Sequence, residues 1–180
     1  MTVRELEAPA AIRPEVYRQA MGRFGTGVTV LTVTHEGRPH GMTANAFMSV
    51  SLDPPLVVVS VGNKSRMSRH LAPGVGLGIN ILAESQEALC MHFAGRPDPS
   101  LSVAFAQHAD VPLIEHSLAN IVSRIETVVP AGDHRLAIAR VEHLAWSERR
   151  PLLFFQGLFH RVAERPVLPA WFLPDTDIWG

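Results

Sequence analysis

The sequence predicts a mainly β domain with short helices, its strands closing into an antiparallel barrel. Three observations carry that expectation. Apolar, β-branched runs of strand length recur along the chain, at 28–34, 56–61 and 75–82. Tight-turn chemistry separates such runs, as in HEGRP at 35–39 and PAGD at 130–133. Strict alternation of strand and helix is missing, which argues against a doubly wound dinucleotide fold.

Each element follows from local chemistry. Residues 1–12 carry mixed charge and an Ala-Pro run, as expected of a loose lead-in to a domain over 13–163. Pro14 suits a first helical turn, and Val16, Ala20, Met21 and Phe24 follow at helical spacing until Gly25 and Gly27 stop the helix. Residues 28–34 then read as a strand, and 41–51 as its returning strand or strand pair. Pro54-Pro55 makes a rigid corner before the buried strand 56–61. Ser65, a good N-cap, opens a short helix to Leu71. A strand over 75–82 follows, and Leu89, Cys90 and Phe93 mark the apolar stripe of a helix over 85–93, ended by Gly95 and Pro97. Residues 96–117 read as an irregular surface excursion. A hairpin of 121–129 with 135–144 and a last strand over 152–162 bring the total to six or seven strands. Residues 164–180 form a tail in which Trp171 and Trp179 are candidates to cap the barrel or a dimer.

Bulk properties narrow the function. A chain of 180 residues fits one domain with a substantial core. Hydrophobic residues reach 47% against 18% charged, so a partner, a second copy, is expected to cover apolar surface. A net charge of -1 leaves no basic field for nucleic acid. The single cysteine, Cys90, excludes an intrachain disulfide framework and points to a reducing, cytoplasmic setting. No apolar stretch reaches membrane-spanning length, and the charged N-terminus is unlike a signal peptide. The nine histidines show neither i, i+4 helix spacing nor an HExxH arrangement, so no metal is expected. Cys90 reads as core, and Gly74, Gly76 and Gly78 as close-packing positions.

The run GMTANAFMSVSLDPPLVVVSVGNKSR at 41–66 carries the chemistry. Asn63, Lys64, Ser65 and Arg66 put backbone amides at a helix start beside a hydroxyl and two cations, which suits a phosphate; Lys64 is the chain's one lysine. The same corner is equally an ordinary capped, solvated helix start. Strand alternation puts Thr43 and Asn45 on one face, and Ser49 and Ser51 in another row, where amides and hydroxyls meet the polar edge of a flat ligand such as a flavin ring. Serine and threonine at strand edges also serve only their own backbone.

Further pieces line up in order: RFGTGVT at 23–29, GMTANAF at 41–47, SVSLDPPL at 49–56, NKS at 63–65, FAG at 93–95, GDH at 132–134 and PLLFF at 151–155. Over residues 14–162 the chain thereby resembles the short-chain flavin reductase family, the reductase partners of two-component flavin monooxygenases. The resemblance implies an FMN-binding split antiparallel β-barrel, a homodimer with flavin near the subunit interface, and reduction of FMN or FAD by NADH or NADPH. Reduced flavin would pass to a separate oxygenase. It implies ring and ribityl contacts from Thr43, Ala44, Asn45, Ser49, Val50, Ser51 and Leu52, and phosphate contacts from Asn63, Lys64 and Ser65. Arg66 stands where many relatives carry a second hydroxyl, and could make a bidentate phosphate contact or point away. Phe93 and Ala94 resemble residues packed near the flavin, and His134 the histidine that meets the nicotinamide cofactor. A non-catalytic flavin- or haem-binding barrel is the alternative from another class. An oxidase of pyridoxamine-phosphate type ranks below it, because its phosphate clamps are richer in Arg and Lys.

Overall fold

The computed structural model describes residues 12–163. Helix α1 (Pro14–Met21) precedes β1 (Thr26–Gly27), β2 (Thr29–His35), β3 (Arg38–Ala44), β4 (Phe47–Leu52) and β5 (Pro55–Gly62). A 3-10 turn (Met67–His70) leads to β6 (Gly76–Ile81), and a second one (Glu84–Gln86) to α2 (Glu87–Phe93). Strands β7 (Phe105–His108), β8 (Val111–Ile114), β9 (Ala119–Ala131), β10 (His134–Trp146), β11 (Leu153–Phe155) and β12 (Leu158–His160) complete the chain. The expected tail and all but the last residue of the expected lead-in lie outside the described residues, with Trp171 and Trp179.

Seven strands form one sheet in the order β3-β2-β6-β9-β10-β5-β4, and every neighbouring pair is antiparallel. Its two edge strands, β3 and β4, are consecutive in the chain and joined by Asn45 and Ala46 alone. The sheet therefore curls on itself, and Ser60 N–H of β5 donates to Ala46 O at 3.0 Å across the join. This is the predicted barrel. Leu31, Val33, Val57, Val59, Val61, Leu77 and Ile79 alternate inward to fill it, and Met67 and Leu71 from the 3-10 turn join the same core. No helix among the described residues is long and apolar enough to cross a membrane.

Four expectations change. Residues 96–117 are not an irregular excursion, because β7 and β8 pair as a hairpin within them and bury Val111 and Ile114. What holds that hairpin is remote in sequence. Thr32 Oγ1 donates to Pro112 O, Thr34 Oγ1 donates to Asp110 O at 2.7 Å, and the buried Asn80 Oδ1 accepts from Ile114 N at 2.8 Å. Gly76 and Gly78 are close-packing glycines, since a Cβ would meet Val111 Cγ2 at 2.6 Å and Pro112 O at 2.7 Å respectively. Gly74 is not: its surroundings are open, and a φ of +86° makes it a turn glycine. Residues 152–162 hold two strands rather than one, because Gln156 and Gly157 turn the chain with φ of 53° and 82°. Finally, Ser49 and Ser51 do not share a simple row. Ser49 stands opposite Val57 and Ser51 opposite Leu56, so Val50 is a bulge that interrupts the alternation.

Helix α1 keeps its apolar residues but buries none of them. Phe24 just beyond it is 78% exposed, and on edge strand β4 Leu52 is 80% exposed.

Candidate functional site

The predicted residues fall into three groups. The first surrounds the junction of β3 with α2. Gly41 and Thr43 lie on the outer face of β3, and α2 rests on both. The Phe93 ring covers Gly41, where a Cβ would come within 2.6 Å of it. Thr43 Oγ1 donates to Cys90 O at 2.6 Å. Ala44 faces inward and belongs to the barrel core. Beyond them opens a hollow of about 440 Å³ bordered by Thr43, Ala44, Asn45, Ala94, Arg96 and Phe154. Phe93 does not border it, but fixes the helix that does. Cys90 also borders it and is 4% exposed, and burial pushes its thiol pKa up, so it is a core residue rather than a nucleophile.

Asn45 borders a second, larger hollow of about 770 Å³ on the outer face of β5 and β10. Its walls are apolar at Met21, Phe24, Met48 and Leu136, with Thr26, Asn45 and Ser60 as polar points. Thr26 Oγ1 is buried there with no hydrogen-bond partner. A buried hydroxyl without a partner is costly unless a ligand or solvent supplies one. The donor set fits a flat heteroaromatic molecule with one polar edge, and the volume is that of a cofactor site. The residues present therefore fit a flavin. Sequence reasoning placed Thr26 inside a matching motif without giving it a role; the signal was a lone hydroxyl between Gly25 and Gly27.

The second group is the corner after β5. Gly62 pairs with His134 at the start of β10, and the imidazole sits over the glycine with Nε2 about 3.6 Å from where a Cβ would stand. Asn63 N–H donates to Asp133 O at 2.9 Å, and Asn63 Nδ2 to Gly132 O at 3.4 Å, so the corner is clasped to the β9–β10 turn. Ser65 Oγ accepts from Ser68 N at 3.1 Å, but the helix is only a 3-10 turn and its N-cap position is held by Arg66, one residue after the expected Ser65. Lys64 and Arg66 are exposed. His134 Nδ1 donates to Asp133 Oδ1 at 2.7 Å. That hydrogen bond holds the Asp133 carboxyl below its ordinary range, and it orients the ring with Nε2 free of the carboxylate. The fold thus brings His134 together with the Asn63–Arg66 corner, which begins three residues beyond the Ser60 that borders the larger hollow.

The third group stands apart from the corner. Ser49, Val50, Ser51 and Leu52 lie on β4, where Ser49 pairs with Val57. Gly62 is about 17 Å farther along β5 at the usual strand rise. Val50 and Leu52 are exposed.

Near the corner, His40 on β3 and His70 in the 3-10 turn have imidazole pKa values below the ordinary 6.5. Burial is the first cause for both; His70, Arg66 and His35 add to it at His40, and His35 and Arg69 at His70. The unfolded chain therefore takes up more protons as pH falls, so this contribution to stability is complete above pH 6.5 and is lost on acidification through and below it. Thermal unfolding across a pH series is expected to show a falling midpoint in that window, and His40→Asn/His70→Asn is expected to flatten the slope. An unchanged slope would assign the loss to other groups.

Comparison with known proteins agrees with this geometry. The sequence model of the flavin reductase like domain matches residues 21–163. An NADH-dependent flavin reductase from a Rhodococcus species is 41% identical over 165 residues, 90% of this chain and 94% of that protein. The reductase component of a 4-hydroxyphenylacetate 3-monooxygenase from Thermus thermophilus is 34% identical over 149 residues, 82% of this chain and 96% of its own. Among solved structures, the flavin reductase PheA2 in its native state superposes with a TM-score of 0.79 at 42% identity, covering 85% of this chain and all of that one. The chain belongs to the flavin reductase like domain family.

Proposed function

We propose that the chain transfers hydride from NADH or NADPH to FMN or FAD and releases the reduced flavin to a separate oxygenase, acting as a homodimer. The observation that carries this reading is the larger hollow, with its partnerless Thr26 hydroxyl and Asn45 at one rim and the Asn63–Arg66 corner with His134 just beyond Ser60. A bound flavin supplies the hydride acceptor and the nicotinamide ring the donor, so the protein needs no nucleophile of its own. Its residues hold and orient. Thr26, Asn45 and Ser60 offer hydrogen bonds to a polar ring edge, and Met48, Leu136 and Phe24 offer its faces apolar walls. Asn63, Lys64 and Ser65 hold a phosphate, with Arg66 at its edge. His134, steadied by Asp133, would present Nε2 to the nicotinamide nucleotide and so orient it. The uncovered Tyr17, Met21, Phe24, Met48, Val50 and Leu52 support the homodimer, since a second copy would bury them and place β4, with Ser49 and Ser51, at the seam.

Purified protein is expected to oxidise NADH or NADPH only when FMN or FAD is added. No oxidation with either flavin and either nucleotide overturns the proposal. His134→Ala is expected to raise KM for the nicotinamide nucleotide by about tenfold, the worth of one hydrogen bond to a charged group, with flavin Kd unchanged. A weakened flavin Kd instead would move His134 to the flavin.

A further inference from the structure

Next to Ser65 the fold gathers basic side chains that the flavin reading leaves unused. His35 ends β2, His40 lies on β3 and His70 closes the 3-10 turn. The His35 and His70 ring centroids are 4.3 Å apart, and those of His40 and His70 are 5.1 Å apart. Arg66 acts on His40 and Arg69 on His70. Among the described residues Glu36 brings a carboxylate, 3.8 Å from His35 Nε2. No ion pair among the described residues engages Arg38, Arg66 or Arg69. His40 Nε2 is buried without a hydrogen-bond partner. The imidazoles are not placed to share a metal ion. A hollow of about 420 Å³ opens beside them, bordered by His35, Glu36, Arg38, Pro39 and His40.

Basic groups gathered around a single nearby carboxylate oppose one another's protonation, and an imidazole nitrogen buried without a partner opposes folding. A phosphoryl anion answers both: it accepts from the guanidinium groups and from His40, and it favours the protonated imidazoles. The position of the cluster says which phosphoryl. Arg66 follows Ser65 directly, so the cluster begins where a flavin's first phosphate would end. FMN stops at that phosphate. FAD continues with a second phosphate and an adenosine, whose flat base matches a hollow walled by imidazole and guanidinium planes.

We propose that His40, His70 and Arg66 hold the second phosphate of FAD, and that the hollow from His35 to His40 takes its adenosine. This rests on reading the Asn63–Ser65 corner as the flavin phosphate site. It makes the chain a site for the dinucleotide flavin in preference to the mononucleotide.

Equilibrium titration with FAD, FMN and ADP, without nicotinamide nucleotide and followed by flavin fluorescence or calorimetry, tests it. FAD is expected to bind about tenfold more tightly than FMN, as one or two charge-assisted contacts would give, and ADP to displace FAD. His40→Asn/His70→Asn is expected to bring FAD affinity down to that of FMN. His35→Asn/Arg38→Gln alters only exposed positions, which guards against failure to fold, and is expected to shrink the preference about threefold with FMN affinity unchanged. Equal affinity for both flavins in the parent, or a preference that survives both double variants, overturns the proposal. A parent that binds FMN without preferring FAD rejects the cluster alone; one that binds neither flavin rejects the phosphate corner and the cluster with it. Stronger competition by NADP+ than by NAD+, with no preference for FAD, would give the cluster to a nucleotide 2′-phosphate and overturn the assignment to FAD.

Discussion

Gly78→Val is expected to lower the free energy of unfolding by about 3 kcal/mol, at the upper end of what overpacking a core costs. A Cβ at Gly78 would stand 2.3 Å from Thr32 Oγ1, 2.7 Å from Pro112 O and 3.1 Å from Val111 Cγ1. The carbonyl is backbone and cannot swing aside, so β8 must lift away from β6. Lifting it breaks the Thr32 bond to Pro112 and pulls Ile114 N–H from Asn80, a buried amide that also donates to Val30 O at 2.8 Å. The thermal midpoint would drop by roughly 6–12 °C for a domain of this size. Calorimetry checks it, with Gly27→Ala as the comparison, because a Cβ there meets nothing within 4 Å. Equal losses in the two variants would mean that the hairpin is not seated on β6 as described.

Gly41→Val is expected to act on function more than on stability. A Cβ at Gly41 would stand 2.6 and 2.7 Å from two atoms of the Phe93 ring. Phe93 ends α2 and packs edge-on against Phe105 at 6.5 Å between centroids, so it can shift only by carrying the helix with it. Thr43 would then lose its bond to Cys90 O, and Ala94 and Arg96 would leave the rim of the smaller hollow. The stability cost is about 1–2 kcal/mol. Asn45 borders both hollows, so the shift reaches the flavin site, and flavin-dependent kcat/KM is expected to fall by about a hundredfold, since an ångström of misplacement in a positioning wall is enough for that. Steady-state kinetics on the folded variant decides it. Activity near that of the parent would detach α2 from the catalytic site.

The barrel was legible because its evidence is local. Inward alternation at Val57, Val59 and Val61 and the turn at Gly132-Asp133 each follow from a few adjacent residues, as does the placement of Cys90 in the second core cluster beneath α2. The β7–β8 hairpin was not, because what defines it lies elsewhere in the chain: hydroxyls at Thr32 and Thr34, an amide at Asn80, and the bare faces of Gly76 and Gly78. The turn at Gln156-Gly157 escaped because glutamine is not a usual first residue for a turn with two positive φ values. The Val50 bulge escaped because nothing in SVS marks the extra residue.

The candidate site shows the same division. The Asn63–Arg66 corner is contiguous and could be read directly, and its clasp with Asp133 and His134 followed once β5 and β10 paired. The polar rim at Thr26 and Ser60 depends on the closing of the sheet at Asn45-Ala46 and on the approach of the segment after α1. The stripe of α1 reads like that of a packed helix, yet none of its residues is buried among the described residues.

The most direct test mixes the protein, loaded with FMN or FAD in the absence of oxygen, with NADH and follows the visible band of oxidised flavin over time. Bleaching at a rate that saturates with NADH, far above that of free flavin, is the result expected of rings held face to face above these residues. A flavin that binds tightly and keeps its colour under NADH and NADPH alike would leave a carrier in place of a reductase.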